Sequence, residues 1–135
     1  MAGPPPTRAL TVGDIMSRSV LTTEVGASVA EAAALMFARR VGSVVVVEGN
    51  TPIGILTERD LVRFAAGAAD ARAALVGDYM TADPDTVEET EEVIDAFRRF
   101  AAHGYRHIPV VAGGELVGII SMRDLARATV DEDRG

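Results

Sequence analysis

The stretch GILTERDL at residues 54–61 returns as GIISMRDL at residues 118–125, an offset of 64 positions. VGDIM at 12–16 returns as VGDYM at 76–80 with the same offset and no intervening gap. Residues 12–66 set against 76–130 give 18 identities in 55 positions. An Ala-rich chain can match itself by composition, but Gly, Asp, Arg and Met recurring in fixed register cannot arise that way. The chain is a tandem duplication.

The patterns inside the two copies agree. Val29, Ala32, Ala33, Met36 and Phe37 follow the i, i+3, i+4, i+7, i+8 stripe of an amphipathic helix, and Val93, Ala96, Phe97, Phe100 and Ala101 repeat it. Ser28 with Glu31 reads as a capping box for the first of these helices. Thr90 reads as the cap of the second, with Glu91 and Glu92 suited to the positive end of the helix dipole. β-Branched runs at 44–47 and 108–111 read as buried strands, each followed by turn residues and a second strand at 53–56 or 116–120. A further helix begins at Thr57 or Ser121, and short extended pieces at 20–23 and 84–87 precede the first helix of each copy.

Each copy is therefore β-α-β-β-α, and the fold class is α/β (α+β): two repeats packed sheet against sheet about a pseudo-two-fold axis. The expected divisions are a disordered tail at 1–10, repeats at 11–66 and 76–130, a linker with some helix at 67–75, and a disordered tail at 131–135. A half of roughly 55 residues buries too little surface to be more than marginally stable alone.

Composition narrows the function. The 135 residues carry a formal charge of −7 and no basic run, so a nucleic-acid polymer, which binds through many phosphate–cation pairs, is excluded as a partner. A local Arg cluster can still hold a small anion. There is no Cys, which removes disulfides, thiolate metal sites and cysteine nucleophiles. The N-terminus lacks an apolar signal core, and no apolar run approaches the roughly 20 residues that span a bilayer. A soluble cytoplasmic protein that does not engage membrane is expected. With no Trp and four Phe in a 48% hydrophobic chain, the core must come from Val, Ile, Leu, Ala and Met.

The recurrent polar signature is Thr57-x-Arg59-Asp60 and Ser121-x-Arg123-Asp124. A single Thr-x-x-Asp at a strand-to-helix junction is a capping box and no more. Here it occurs twice in register, each time with Arg beside the Asp. An acid in the first helical turn can accept two hydrogen bonds from the vicinal hydroxyls of a ribose. Free N–H groups at the helix start and the adjacent Arg suit a phosphate. Capping and binding can be done by the same residues.

A duplicated β-α-β-β-α unit carrying G-h-h-[ST]-x-x-D (h, apolar) resembles the CBS (cystathionine β-synthase) domain family, as the tandem pair called a Bateman module. The likeness covers residues 11–130, and YRHIPVV at 105–111 and MTADPDTVEET at 80–90 strengthen it. The resemblance implies two clefts between the repeats that take adenosine derivatives: AMP, ADP, ATP or S-adenosylmethionine. It implies that Asp60 and Asp124 take ribose hydroxyls, that Thr57 and Ser121 contact sugar or phosphate, and that Thr22 and Thr86 line the clefts. Arg106 and His107 match positions that meet phosphate. It further implies a homodimer whose output passes to an effector protein.

The copies differ at Gly42-Ser43 against Arg106-His107 and at Val45 against Pro109. Unequal sites are expected, with the Arg106/His107 region the better anion binder. His103 and His107, four apart, are separated by Gly104 and a strand onset, and no third ligand accompanies them, so no metal site is expected. Nor is an enzyme: no nucleophile–base ordering has local support, and the pseudo-symmetry puts Asp60 and Asp124 in separate clefts. A ligand-independent dimeric scaffold or stress protein, with both Asp residues merely capping helices, remains open beside the sensing module.

Overall fold

The computed structural model describes residues 9–104 and 106–134, with side chains as far as residue 130. The expected N-terminal tail falls almost wholly outside them. Each repeat contains the anticipated β-α-β-β-α unit, preceded by a four-residue helix formed by the repeated Val-Gly-Asp motif. In chain order the first repeat comprises α1 (Val12–Ile15), β1 (Thr22–Thr23), α2 (Val29–Arg39), β2 (Ser43–Glu48), β3 (Thr51–Thr57) and α3 (Glu58–Ala65). The second comprises α4 (Val76–Tyr79), β4 (Thr81–Ala82), β5 (Val87–Glu88), α5 (Val93–Phe100), β6 (His107–Ala112), β7 (Glu115–Ser121) and α6 (Met122–Arg134). A single 3-10 turn, Ala101–His103, follows α5.

Both sheets follow one plan. β1 runs parallel to β2, and β2 antiparallel to β3; β5, β6 and β7 repeat this. A register shift falls between Val46 and Val47, and its counterpart between Val110 and Val111. Val44, Val46 and Leu56 point into a core with Ala32 and Met36 of α2, while Val45 and Ile55 on the other face are buried as well. A strand covered on both sides needs apolar residues at every position, which is why β2 reads as an unbroken run rather than an alternation. The sheets meet along β3 and β7, where the Leu116 N–H donates to the Asn50 carbonyl at 2.9 Å.

The repeats are not separate bodies. The Val12 and Gly13 N–H groups donate to the carbonyls of Glu91 and Glu89, both at 2.8 Å, and the Val93 N–H donates back to Leu10 at 2.9 Å. At the mirrored positions, Val76 and Gly77 donate to Ala27 and Val25 at 2.8 and 3.0 Å, and Val29 donates to Ala74 at 2.9 Å. Val12 and Met16 thus belong to the core of the second repeat, and Val76 and Met80 to that of the first. β4 completes the first sheet by pairing with β3; Ser17 makes the matching isolated bridge to Ile119. Each repeat lends its leading segment to the other.

Three local expectations are corrected. Glu92, not Thr90, occupies the N-cap of α5, because the Val93–Leu10 hydrogen bond fixes the helix start at the position matching Ser28. The linker forms turns without a helix: the Asp70 carboxylate accepts the Arg72 N–H at 3.0 Å, a local bond that competes with helical pairing. At the other end, α6 runs to Arg134 through residues expected to be a disordered tail, since each residue added to an established helix gains a backbone hydrogen bond. Among the described residues no helix is long and apolar enough to cross a membrane.

Candidate functional site

Two clefts open between the repeats, of about 610 Å³ and about 490 Å³, both within the usual range for small-molecule sites. The larger sets Ser121, Arg123 and Asp124 of the second repeat against Ser17, Ser19 and Leu21 of the first. The smaller sets Thr57, Arg59 and Asp60 of the first against Thr81, Pro84 and Asp85 of the second. The clefts are images of one another under the 64-residue offset. The exchanged leading segments make them so, by carrying residues 17–21 and 81–85 across to the opposite repeat.

The helix starts are built alike and finished differently. The Glu58 N–H donates to the Gly42 carbonyl at 3.0 Å, and the Met122 N–H to the Arg106 carbonyl at 2.9 Å, which holds the 42 and 106 positions beside the helix N-termini. The Thr57 hydroxyl accepts the Asp60 N–H at 3.3 Å, and the Ser121 hydroxyl accepts the Asp124 N–H at 3.0 Å. The Asp60 carboxylate is committed: it accepts the Thr57 N–H at 2.9 Å and the Thr57 hydroxyl at 3.1 Å, it is 7% exposed, and Arg63 lies 3.9 Å from it. Asp124 is exposed, and among the described residues no hydrogen bond is made to its carboxylate.

Arg106 and His107 line both clefts, as does Gly42. They form a shared wall, so they do not set one cleft apart from the other as the sequence comparison suggests. His107 is held below the ordinary imidazole range chiefly by burial, with Arg106 acting in the same direction; Glu58 from one cleft and Asp124 from the other oppose both. What distinguishes the clefts lies at other positions. Met122 and Leu21 in the larger stand where Glu58 and Asp85 stand in the smaller, and Arg40 stands where Gly104 does.

Eight of the ten expected site residues thus lie on the clefts: Arg123, Ser121 and Asp124 on one, Thr57, Arg59 and Asp60 on the other, and Arg106 with His107 on both. Thr22 and Thr86 do not line either. Side chains alternate along an extended segment, and the neighbouring positions, Leu21 and Asp85, are the ones that face the clefts. Arg40, Glu58 and Asp85 were not among the expected site residues, although a residue-by-residue reading of the offset exposes each as a charge present in one copy only. His103 lies on the 3-10 turn and His107 on β6, with Gly104 at φ 72° between them, so the two do not share a helix face.

The chain matches the family model of the CBS domain twice, over residues 12–67 and 76–131. A 17.7 kDa protein of Acidianus ambivalens is 41% identical over 125 residues, spanning 91% of this chain and 75% of its own. Among solved structures, a CBS domain protein of Pyrobaculum aerophilum complexed with AMP is similar with a TM-score of 0.82 and 26% identity, covering 93% of this chain and 100% of that one. CBSX2 of Arabidopsis thaliana in complex with AMP gives a TM-score of 0.80 and 26% identity, over 90% and 97%.

Proposed function

Because the chain belongs to the CBS domain family as a tandem pair, we propose that it is a non-catalytic regulatory module that binds an adenosine derivative between its repeats. The observation that carries this reading is the doubled site: two mirrored clefts, each with a hydroxyl-capped helix start, an Asp in its first turn and Arg on the rim. Asp supplies acceptors for a ribose diol, and Arg with the helix N-terminus supplies donors for phosphate. The AMP-bound relatives support the same ligand class.

Both clefts take one wall from each repeat, so a ligand in either touches both halves of the molecule. Its binding free energy then acts on how the repeats pack, to the extent that it differs between two packings. The output passes to a partner protein in the cytoplasm through a homodimer. A thermal-shift panel of AMP, ADP, ATP, S-adenosylmethionine and adenosine tests the proposal. A ligand at 100 times its Kd adds about 2.7 kcal/mol of stability. No shift with any of the five would sink it and leave the scaffold reading, which the committed carboxylate of Asp60 favours.

A further inference from the structure

We propose that the two clefts are chemically unequal: the Asp124 cleft is the single site for a phosphorylated ribonucleoside, and the Asp60 cleft takes a ribonucleoside without phosphate. This rests on the regulatory reading above and deepens it.

Formal charge comes first. Among the described residues, the Asp124 cleft is lined by Arg40, Arg106 and Arg123 against one acid, Asp124. The Asp60 cleft is lined by Arg59, Arg63 and Arg106 against three acids, Glu58, Asp60 and Asp85. A dianionic phosphate entering the first meets a net excess of guanidinium. In the second it meets balanced charge, with two carboxylates that have only apolar counterparts, Met122 and Leu21, in the first.

The acids differ in availability as well. The Asp124 carboxylate, exposed and with no hydrogen bond made to it among the described residues, is open to both hydroxyls of a ribose. In Asp60 the N–H and hydroxyl of Thr57 both take Oδ2, which leaves Oδ1, 3.9 Å from Arg63, to meet a ribose. Arg40 adds a third sign. It caps α2 in the left-handed conformation at φ 55°, where the second repeat places Gly104 at φ 72°. Glycine is the residue that this backbone favours, so the first repeat keeps an Arg at a conformational cost, on the rim of the Asp124 cleft.

The shared wall then limits occupancy to one phosphate. Arg106 and His107 face both clefts, and their counterparts Gly42 and Ser43 offer no second cation. Two phosphates would compete for one Arg106 and repel each other across it.

Calorimetric titration of the full chain with AMP and with adenosine tests this. AMP is expected to fill one site per chain, and Asp124→Asn is expected to weaken it about ten-fold more than Asp60→Asn does. Arg40→Gly is expected to weaken AMP while leaving thermal stability unchanged or higher, since it relieves the left-handed cap; that split separates a binding role from a folding defect. Adenosine is expected to bind in the Asp124→Asn variant. Two AMP sites of equal affinity, or greater loss of AMP with Asp60→Asn, overturns the inference while leaving the regulatory reading intact. No heat with either ligand overturns that reading, and this inference with it.

Discussion

The side chain of Met80 fills the space into which a Cβ on Gly54 would project, and Met16 does the same at Gly118. Each methionine belongs to one repeat and each glycine to the other, and the offset maps one pair onto the other. Gly and Met recur because each repeat's leading segment must lie flat on the other's second long strand.

Gly118→Ala is expected to cost more stability than Gly54→Ala. An added Cβ at 118 meets not only the Met16 sulfur at 2.5 Å but the Ser17 carbonyl oxygen at 2.8 Å, which is backbone and cannot swing aside. At 54 the close atoms are all in the flexible Met80 side chain. Overpacking of this kind costs about 1–3 kcal/mol. Urea denaturation of both variants is the measurement, and Met80→Ala added to Gly54→Ala should recover part of the loss. Equal costs would count against the exchanged geometry.

Splitting the chain within residues 67–75 is expected to leave two halves that do not fold alone. Each lacks the Val and Met that the other's leading segment contributes to its core. Circular dichroism should show little native signal from either half and recovery when the two are mixed. A cooperative thermal transition in an isolated half would contradict this.

Asp60→Ala is expected to destabilise the protein by about 0.5–2 kcal/mol, the usual cost of losing a helix cap. The buried carboxylate it removes satisfies two donors of Thr57. Asp124→Ala, at an exposed carboxylate to which no hydrogen bond is made among the described residues, should stay within about 0.5 kcal/mol. Chemical denaturation without ligand distinguishes them, and the reverse ranking would reassign the two acids.

His107 makes stability depend on pH in a defined sense. Its folded-state pKa lies below the unfolded value, mainly through burial, so the unfolded chain takes up its proton at the higher pH. The stability it contributes is present above about pH 6.5 and is lost as pH falls from there through the lowered folded value. His107→Ser, the residue found at the matching position 43, removes this contribution. The fall in melting temperature between pH 7.5 and 5.5 should be smaller in that variant than in the wild type, and an unchanged slope would refute the assignment.

Phe37, 87% exposed on α2, and Val62, 70% exposed on α3, are the apolar residues a second copy is expected to cover. Light scattering of Phe37→Glu should report a shift from dimer to monomer. A wild-type chain that is already monomeric would remove the dimer from the proposed function.

Most of the site was legible because it is local. The [ST]-x-x-Asp turn, its adjacent Arg and the strand feeding it lie within ten residues, 51–60 and 115–124, and duplication lifted them above chance. Thr22 and Thr86 misled because the family likeness places an extended segment without saying which alternate residue turns inward. Arg40 was not among the expected site residues, since its place on the Asp124 cleft depends on how the repeats face each other.

From sequence alone came the duplication, the β-α-β-β-α unit and the paired acids, all of which rest on periodicity and on contacts between near neighbours. Only the tertiary structure decided that the repeats exchange their leading segments, that Arg106 and His107 face both clefts, and that Asp60 is buried where Asp124 is exposed. Those depend on contacts between residues far apart in the chain, such as Val12 with Glu91 and Val76 with Ala27, which packing sets and local pattern does not encode.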